Sequence, residues 1–322
     1  LTNALNSIGT LSTSGCLGYV NGALSLANAG SLVLDTVTSV GALKLNVGGN
    51  LTQTAGAVSA PSLELISSGS ATLDNANNSV ASFAAATNGA TSFRTSGALT
   101  VGTVGGTSGV TSTGNNITLR SGGLMTLAQN VNAGGAALTL NAGGGSNQTG
   151  GAITAGALQL LGSGSQTLYQ TGNNVTTLAG NVGGSISYYD ADGVDIGTAG
   201  ATGINTNGNT LTMNVGGLSQ SASISTNAFE LFVRPGGGGV TLNSANSIGA
   251  IGAAMTGAFT LRNTSADLYI QQIGSTAGVV TNGFDFTLLN TNTLWLGNGA
   301  SNGQVSLGAG TFDLTSNRTL QY

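Results

Sequence analysis

Apolar residues stand at alternate positions in short runs along this chain. Ala23-Leu24-Ser25-Leu26, Ser31-Leu32-Val33-Leu34, Ala42-Leu43-Lys44-Leu45, Ile117-Thr118-Leu119, Leu138-Thr139-Leu140 and Leu211-Thr212-Met213 are examples. A period of two is that of a β-strand with one buried face. Clusters of Gly, Asn, Ser and Thr interrupt the runs every few residues, which is the chemistry of turns. No segment carries a helical period with caps. The pattern predicts an all-β chain whose inward columns include Leu24, Leu26, Leu43, Leu45, Leu99, Val101, Leu138, Leu140, Ile186, Tyr188, Leu211 and Met213.

The runs repeat. Gly22-Ala23-Leu24-Ser25-Leu26 with Gly30-Ser31-Leu32-Val33-Leu34-Asp35-Thr36 returns as Gly89-Ala90-Thr91-Ser92-Phe93 with Gly97-Ala98-Leu99-Thr100-Val101-Gly102-Thr103. Gly184-Ser185-Ile186-Ser187-Tyr188 with Val194-Asp195-Ile196-Gly197-Thr198 is a third copy, and Gly257-Ala258-Phe259-Thr260-Leu261 with Leu268-Tyr269-Ile270 a looser fourth. A second signature, Leu45-Asn46-Val47-Gly48-Gly49, reappears at Leu140–Gly144 and Met213–Gly217. The interval from Gly89 to Gly184 is longer than that from Gly184 to Gly257. The difference is about one coil of a β-solenoid, and solenoids tolerate the gain or loss of a coil because each contacts only its neighbours. The prediction is a parallel β-helix of roughly 15–17 rungs, each of about 19–22 residues. It forms one continuous solenoid over 1–322 in four degenerate modules, about 1–71, 72–166, 167–240 and 241–322.

The end of the chain, Ala309-Gly310-Thr311-Phe312-Asp313-Leu314 with Thr319-Leu320-Gln321-Tyr322, follows Ala155–Leu160 and Thr167–Gln170 and then stops mid-motif. Asn6-Ser7-Ile8 and Leu11 supply the missing part. The segment therefore reads as one period of a longer tandem array, or as a subunit that stacks head to tail on itself.

Composition narrows the class. Only 5% of residues are charged and 2 are Pro, while 55 are Gly and 40% are hydrophobic. Disordered chains lack this supply of Val, Ile and Leu, so order is expected. No apolar stretch approaches the ~20 residues of a membrane span. A net charge of −4 without a basic cluster argues against a nucleic-acid partner. The single Cys16 excludes an internal disulfide framework, leaving a small buried hydrophobe or an intermolecular thiol.

Little chemistry stands out. With no His, Ser-His-Asp and Cys-His catalysis and ordinary zinc sites are absent from the sequence. Gly236–Gly239 after Pro235 lacks the Lys and helix of a phosphate loop and reads as a turn. The one acidic cluster is Asp190, Asp192 and Asp195. Its spacing beside Gly193 suits a Ca²⁺ site, and grouped carboxylates on a β-helix suit general acid–base cleavage of a polysaccharide. The internal repeat offers a third reading: Asp190 aligns with Asn28, Thr95 and Asn263, all turn-forming residues. Trp295, between Leu294 and Leu296, points away from them, to stack on a sugar or a neighbouring fibre, or to lie under a loop.

Asn173–Gly180 running into Ser185-Ile186-Ser187-Tyr188 and Asp192–Gly197, together with Gly150–Leu158, resembles secreted exoproteins of the filamentous haemagglutinin type and related β-helical autotransporter passengers. The resemblance implies a right-handed parallel β-helix, an outer-membrane translocator as export partner, and an extracellular adhesin or matrix role at a bacterial surface. The expected function is a structural fibre or stalk rather than an enzyme, without cofactor unless Ca²⁺ binds. The alternative is a glycan-binding surface module or a carbohydrate-active β-helix.

Overall fold

A computed structural model describes residues 1–3, 5–15, 18–297 and 303–321. Cys16 and Tyr322 lie outside the described residues. Among those described there is no helix, and parallel strands stack as a β-solenoid of about 14 turns. The chain divides into two compact units, Leu1–Gly156 with Leu161–Gly164, and Ala157–Leu160 with Ser165–Tyr322.

In the first unit, Leu24–Asn28 pairs in parallel with Leu43–Val47, setting Leu24 against Leu43 and Leu26 against Leu45. The next turns continue both columns through Leu63 and Leu65 to Phe83 and Ala85. A second wall runs from Thr91–Thr95 through Ile117–Ser121 to Ala137–Ala142. In the second unit, Ile186, Leu211, Phe229, Ile251 and Ile270 form one inward column. Phe259, Phe286 and Phe312 form another, with ring centroids 5.1 and 5.0 Å apart. That separation matches the ~4.8 Å between paired strands, so in-register stacking brings like rings face to face. The inward residues expected from the alternation are all buried except Leu24, which is half-buried. Each full burial contributes about 1.5–3 kcal/mol.

The turns are fewer and longer than expected. Leu24, Leu43 and Leu63 lie on successive turns, at the expected spacing. The single turns from Thr91 to Ile117, from Ile186 to Leu211 and from Phe259 to Phe286 all exceed it. Each of these three long turns contains an antiparallel hairpin: Thr103–Val104 with Thr107–Ser108, Thr198–Ala199 with Ala201–Thr202, and Gln272–Ile273 with Thr276–Ala277.

The hairpins leave the stack at one place in the turn. Val101 and Val110 pair with Phe83 and Ala85, so everything between them stands opposite Ala84 alone. The second hairpin stands likewise opposite Ala179, between the partners of Leu178 and Gly180. The third stands opposite Gly252, between the partners of Ile251 and Ala253. These positions must be small because the hairpin folds down on them: a Cβ on Gly252 would meet Thr276 O at 2.8 Å. Two turns before the hairpin, an outward polar side chain receives it. Glu64 accepts from Gly106 N and Thr107 Oγ1, both at 2.9 Å, and pairs with Lys44 at 2.8 Å. Glu230 accepts from Ser275 N at 2.9 Å and Thr276 Oγ1 at 3.2 Å. Gly200 lies over the Gln159 amide. Burial alone would raise the Glu64 pKa, but the bonds from Lys44, Thr107 and Gly106 outweigh it and hold the carboxyl below its usual value.

Gly105, Gly200 and Gly274 turn the hairpins at positive φ, 59°, 83° and 56°. A Cβ on Gly105 would also collide with Glu64 Oε2, and one on Gly274 with Glu230 Oε2. Gly114 has φ 66° with open space around it. Gly114→Ala is therefore expected to cost only the backbone strain, about 1–2 kcal/mol. Gly105→Ala and Gly274→Ala add the collision and should cost roughly 2–4 kcal/mol, read from denaturant midpoints. Equal losses at all three positions would contradict the seating of the hairpins on the two glutamates.

Candidate functional site

The acidic cluster sits at a corner of the solenoid. After Ile186–Tyr189 the chain bends at Asp190 before Gly193–Ile196 begins. A backbone N–H of the adjoining turn is buried at this bend and needs an acceptor. Val175 N donates to Asp190 Oδ2 at 3.1 Å. The residues aligned with Asp190 in the internal repeat do the same. Ile8 N donates to Asn28 Oδ1 at 2.7 Å, Val80 N to Thr95 Oγ1 at 3.0 Å, and Ile248 N to Asn263 Oδ1 at 2.8 Å. All four side chains are buried.

Asp190 differs from its counterparts in one respect. Asn28 Nδ2, Thr95 Oγ1 and Asn263 Nδ2 each also donate to the carbonyl of the residue they cap. An ionised carboxylate has no hydrogen to give. Burial drives the Asp190 pKa up to about 7, against the bonds it accepts from Tyr188 Oη and the backbone. Tyr188, 2.7 Å away, is buried and pushed well above its ordinary pKa by that burial and by the neighbouring acids. Asp192, by contrast, is held below its ordinary pKa, first by a hydrogen bond with the Asp190 carboxyl. Between the two pKa values, and so below about pH 7, the pair carries one proton, on the buried Asp190, and one negative charge, on the exposed Asp192.

Arg234 closes the corner from outside. Its Nη2 donates to the carbonyl oxygens of Asp190 and Ala191 at 2.5 and 2.6 Å, and its Nη1 to Asn214 Oδ1 at 2.9 Å. The guanidinium lies 4.2 Å from the centroid of the Tyr189 ring, in cation–π contact. Beside it, Asp192, Gly193, Gly217 and Pro235 line a shallow hollow of about 380 Å³.

The three carboxylates do not converge. Asp190 and Asp192 meet, whereas Asp195 accepts from Ser219 and Ser221 of the following turn at 2.8 and 2.5 Å. Among the described residues no group of three or more His, Cys, Asp or Glu side chains is placed to hold a metal ion. Trp295 is half-buried and stacks on Tyr269, centroids 5.7 Å apart and planes within 5°, while Leu294 is buried. The hairpins were missed by sequence reasoning, although Val104-Gly105-Gly106-Thr107, Ala199-Gly200-Ala201-Thr202 and Ile273-Gly274-Ser275-Thr276 carry a common Gly-x-Thr signal. No family model matches the chain, and no similar curated protein or solved structure is found.

The proton on Asp190 fixes a pH dependence. In the folded chain Asp190 keeps its proton up to about pH 7, whereas its unperturbed value is 3.8. The folded state therefore binds the proton more tightly, and its contribution to stability is full below about pH 4 and lost as pH rises through about 7. Asp190→Asn supplies both donor and acceptor without charge. It should leave stability near pH 4 little changed and raise it at pH 8 by roughly 2–4 kcal/mol, in denaturant titrations at the two pH values. A substitution that destabilises equally at both would show that the corner needs the carboxylate.

Proposed function

We propose that this chain is a structural segment of an extracellular fibre, a stalk of a bacterial surface adhesin or matrix filament, and not an enzyme. One observation carries the reading: the polar side chains at the corners and under the hairpins hold one turn to the next. Asn28, Thr95, Asp190 and Asn263 cap the adjoining turn, and Glu64 and Glu230 seat hairpins. Arg234 is bonded to corner carbonyls. A sequence that repeats such devices from turn to turn suits a stack whose length is its purpose. The resemblance of its repeat phrases to filamentous haemagglutinin-type exoproteins supports export through an outer-membrane translocator and assembly by continuing the parallel ladder from one copy to the next, covalently or head to tail.

Two copies joined tail to head and the single chain can be compared by electron microscopy and thermal unfolding. The expected outcome is fibrils one solenoid wide and a higher midpoint for the joined pair, because an added interface buries a further row of strand edges. Two independent globules with an unchanged midpoint would remove the basis for a continuing fibre.

A further inference from the structure

The outward side chains of the second unit also form ladders, and one of them changes character abruptly. Pairing places Ala228 against Ala250, Ala250 against Tyr269, Tyr269 against Trp295, and Trp295 against Leu320. One face of the Tyr269 ring is covered by the indole of Trp295. The other looks across two successive turns that carry only methyl groups. The result is a notch of about 420 Å³ with an aromatic wall and an alanine floor.

Polar groups ring the notch. Asp267 is exposed and uses Oδ1 to accept from Thr293 N at 3.0 Å. Asn227 is exposed and also lines the notch. Gln271 also lines the notch, and its Oε1 is buried without a hydrogen-bond partner among the described residues. A buried amide oxygen left unmet is costly, so this side chain gains by turning toward a ligand that satisfies it.

From this geometry we propose that the Tyr269 notch binds a neutral pyranose unit of a glycan. The apolar C–H face of the sugar lies on the free face of the Tyr269 ring, and its hydroxyls meet Asp267, Asn227 and Gln271. An aromatic face edged by a few polar groups is the usual makeup of a small-molecule site. The carboxylate, with no cation among the described residues of the lining, disfavours an acidic sugar. A peptide strand is disfavoured by the backbone: Leu268–Ile270 is already paired in parallel on both sides, with Val240–Ala254 and Phe286–Leu296, so no open edge remains there.

Trp295 is the only tryptophan of the chain, so its emission reports on the ring that backs the notch. Cellohexaose, maltohexaose and chitohexaose would each be titrated, with hexagalacturonate as the acidic comparison. At least one neutral oligomer should shift the emission saturably with a Kd of about 0.1–5 mM, and hexagalacturonate should not. Ala250→Leu fills the notch without touching a polar group and should weaken binding at least about tenfold. Tyr269→Ala should do the same, with circular dichroism confirming that each variant is folded; if Tyr269→Ala does not fold, Ala250→Leu decides. No saturable response to any neutral oligomer, tighter binding of the acidic one, or undiminished binding by Ala250→Leu would overturn the proposal. Fibril formation by Ala250→Leu is expected to be unchanged, which keeps this test separate from that of the fibre.

Discussion

Every turn must come back into register with the turn before it, and that single requirement explains most of the chain. Parallel pairing fixes which residue lies over which, so a one-residue slip would move an entire inward set to the surface. The inward columns are therefore aliphatic or aromatic in turn after turn, as in Leu43–Leu63–Phe83 and Phe259–Phe286–Phe312. Register is lost most easily at corners, where the backbone leaves the ladder and buried N–H groups lose their strand partners. The buried Asn, Thr and Asp side chains replace those partners, and so specify where each corner falls.

The hairpins show how length can vary under this constraint. A short insertion would ruin the register anywhere it displaced an inward side chain. Here the extra residues depart after one inward position and rejoin at the next, opposite a single outward Ala or Gly. The ladder closes on either side as if nothing had been added. In the first and third hairpins the loop, which would otherwise hold exposed backbone, is tied by its N–H and hydroxyl groups to a Glu two turns away. The excursions also follow the internal repeat. Gly105, Gly200 and Gly274 stand at nearly the same distance after Gly89, Gly184 and Gly257, the glycines that open the strand motif.

The strands and the parallel stack were legible because alternation and repetition are local properties of sequence. Turn length was not, because hairpin residues such as Gly105, Gly106 and Thr107 are of the same types as ordinary turn residues. Taken singly, none is marked as an excursion; only comparison of the three copies brings out their common Gly-x-Thr. The equivalence of Asp190 with Asn28, Thr95 and Asn263 was legible from the repeat, but the burial of its carboxyl was not: a polar residue beside Gly reads equally as exposed loop. Proximity across turns was the least legible feature. The sequence has no basic cluster, yet register sets Arg94 beside Arg120, a full turn later, and Arg120 reaches Asp74 at 3.1 Å. Such neighbours cannot be counted until the length of each turn is known.

The same geometry separates what must stay from what is free to change. An inward residue touches the columns of the turns beside it, and its loss leaves a cavity costing about 2–5 kcal/mol. Away from the hairpins an outward residue meets mainly its ladder neighbours and solvent, so Lys44, Arg94, Thr212 and Tyr269 occupy like positions without disturbing the stack. Yet these outward positions are not independent of one another, because the ladder brings one residue from every turn to within ~5 Å of the next. A surface array, whether an ion pair, a hydroxyl row or an aromatic wall above an alanine floor, needs only suitable residues one turn apart. A stacked solenoid of this kind thus carries regularly spaced places where binding can arise at little cost to folding.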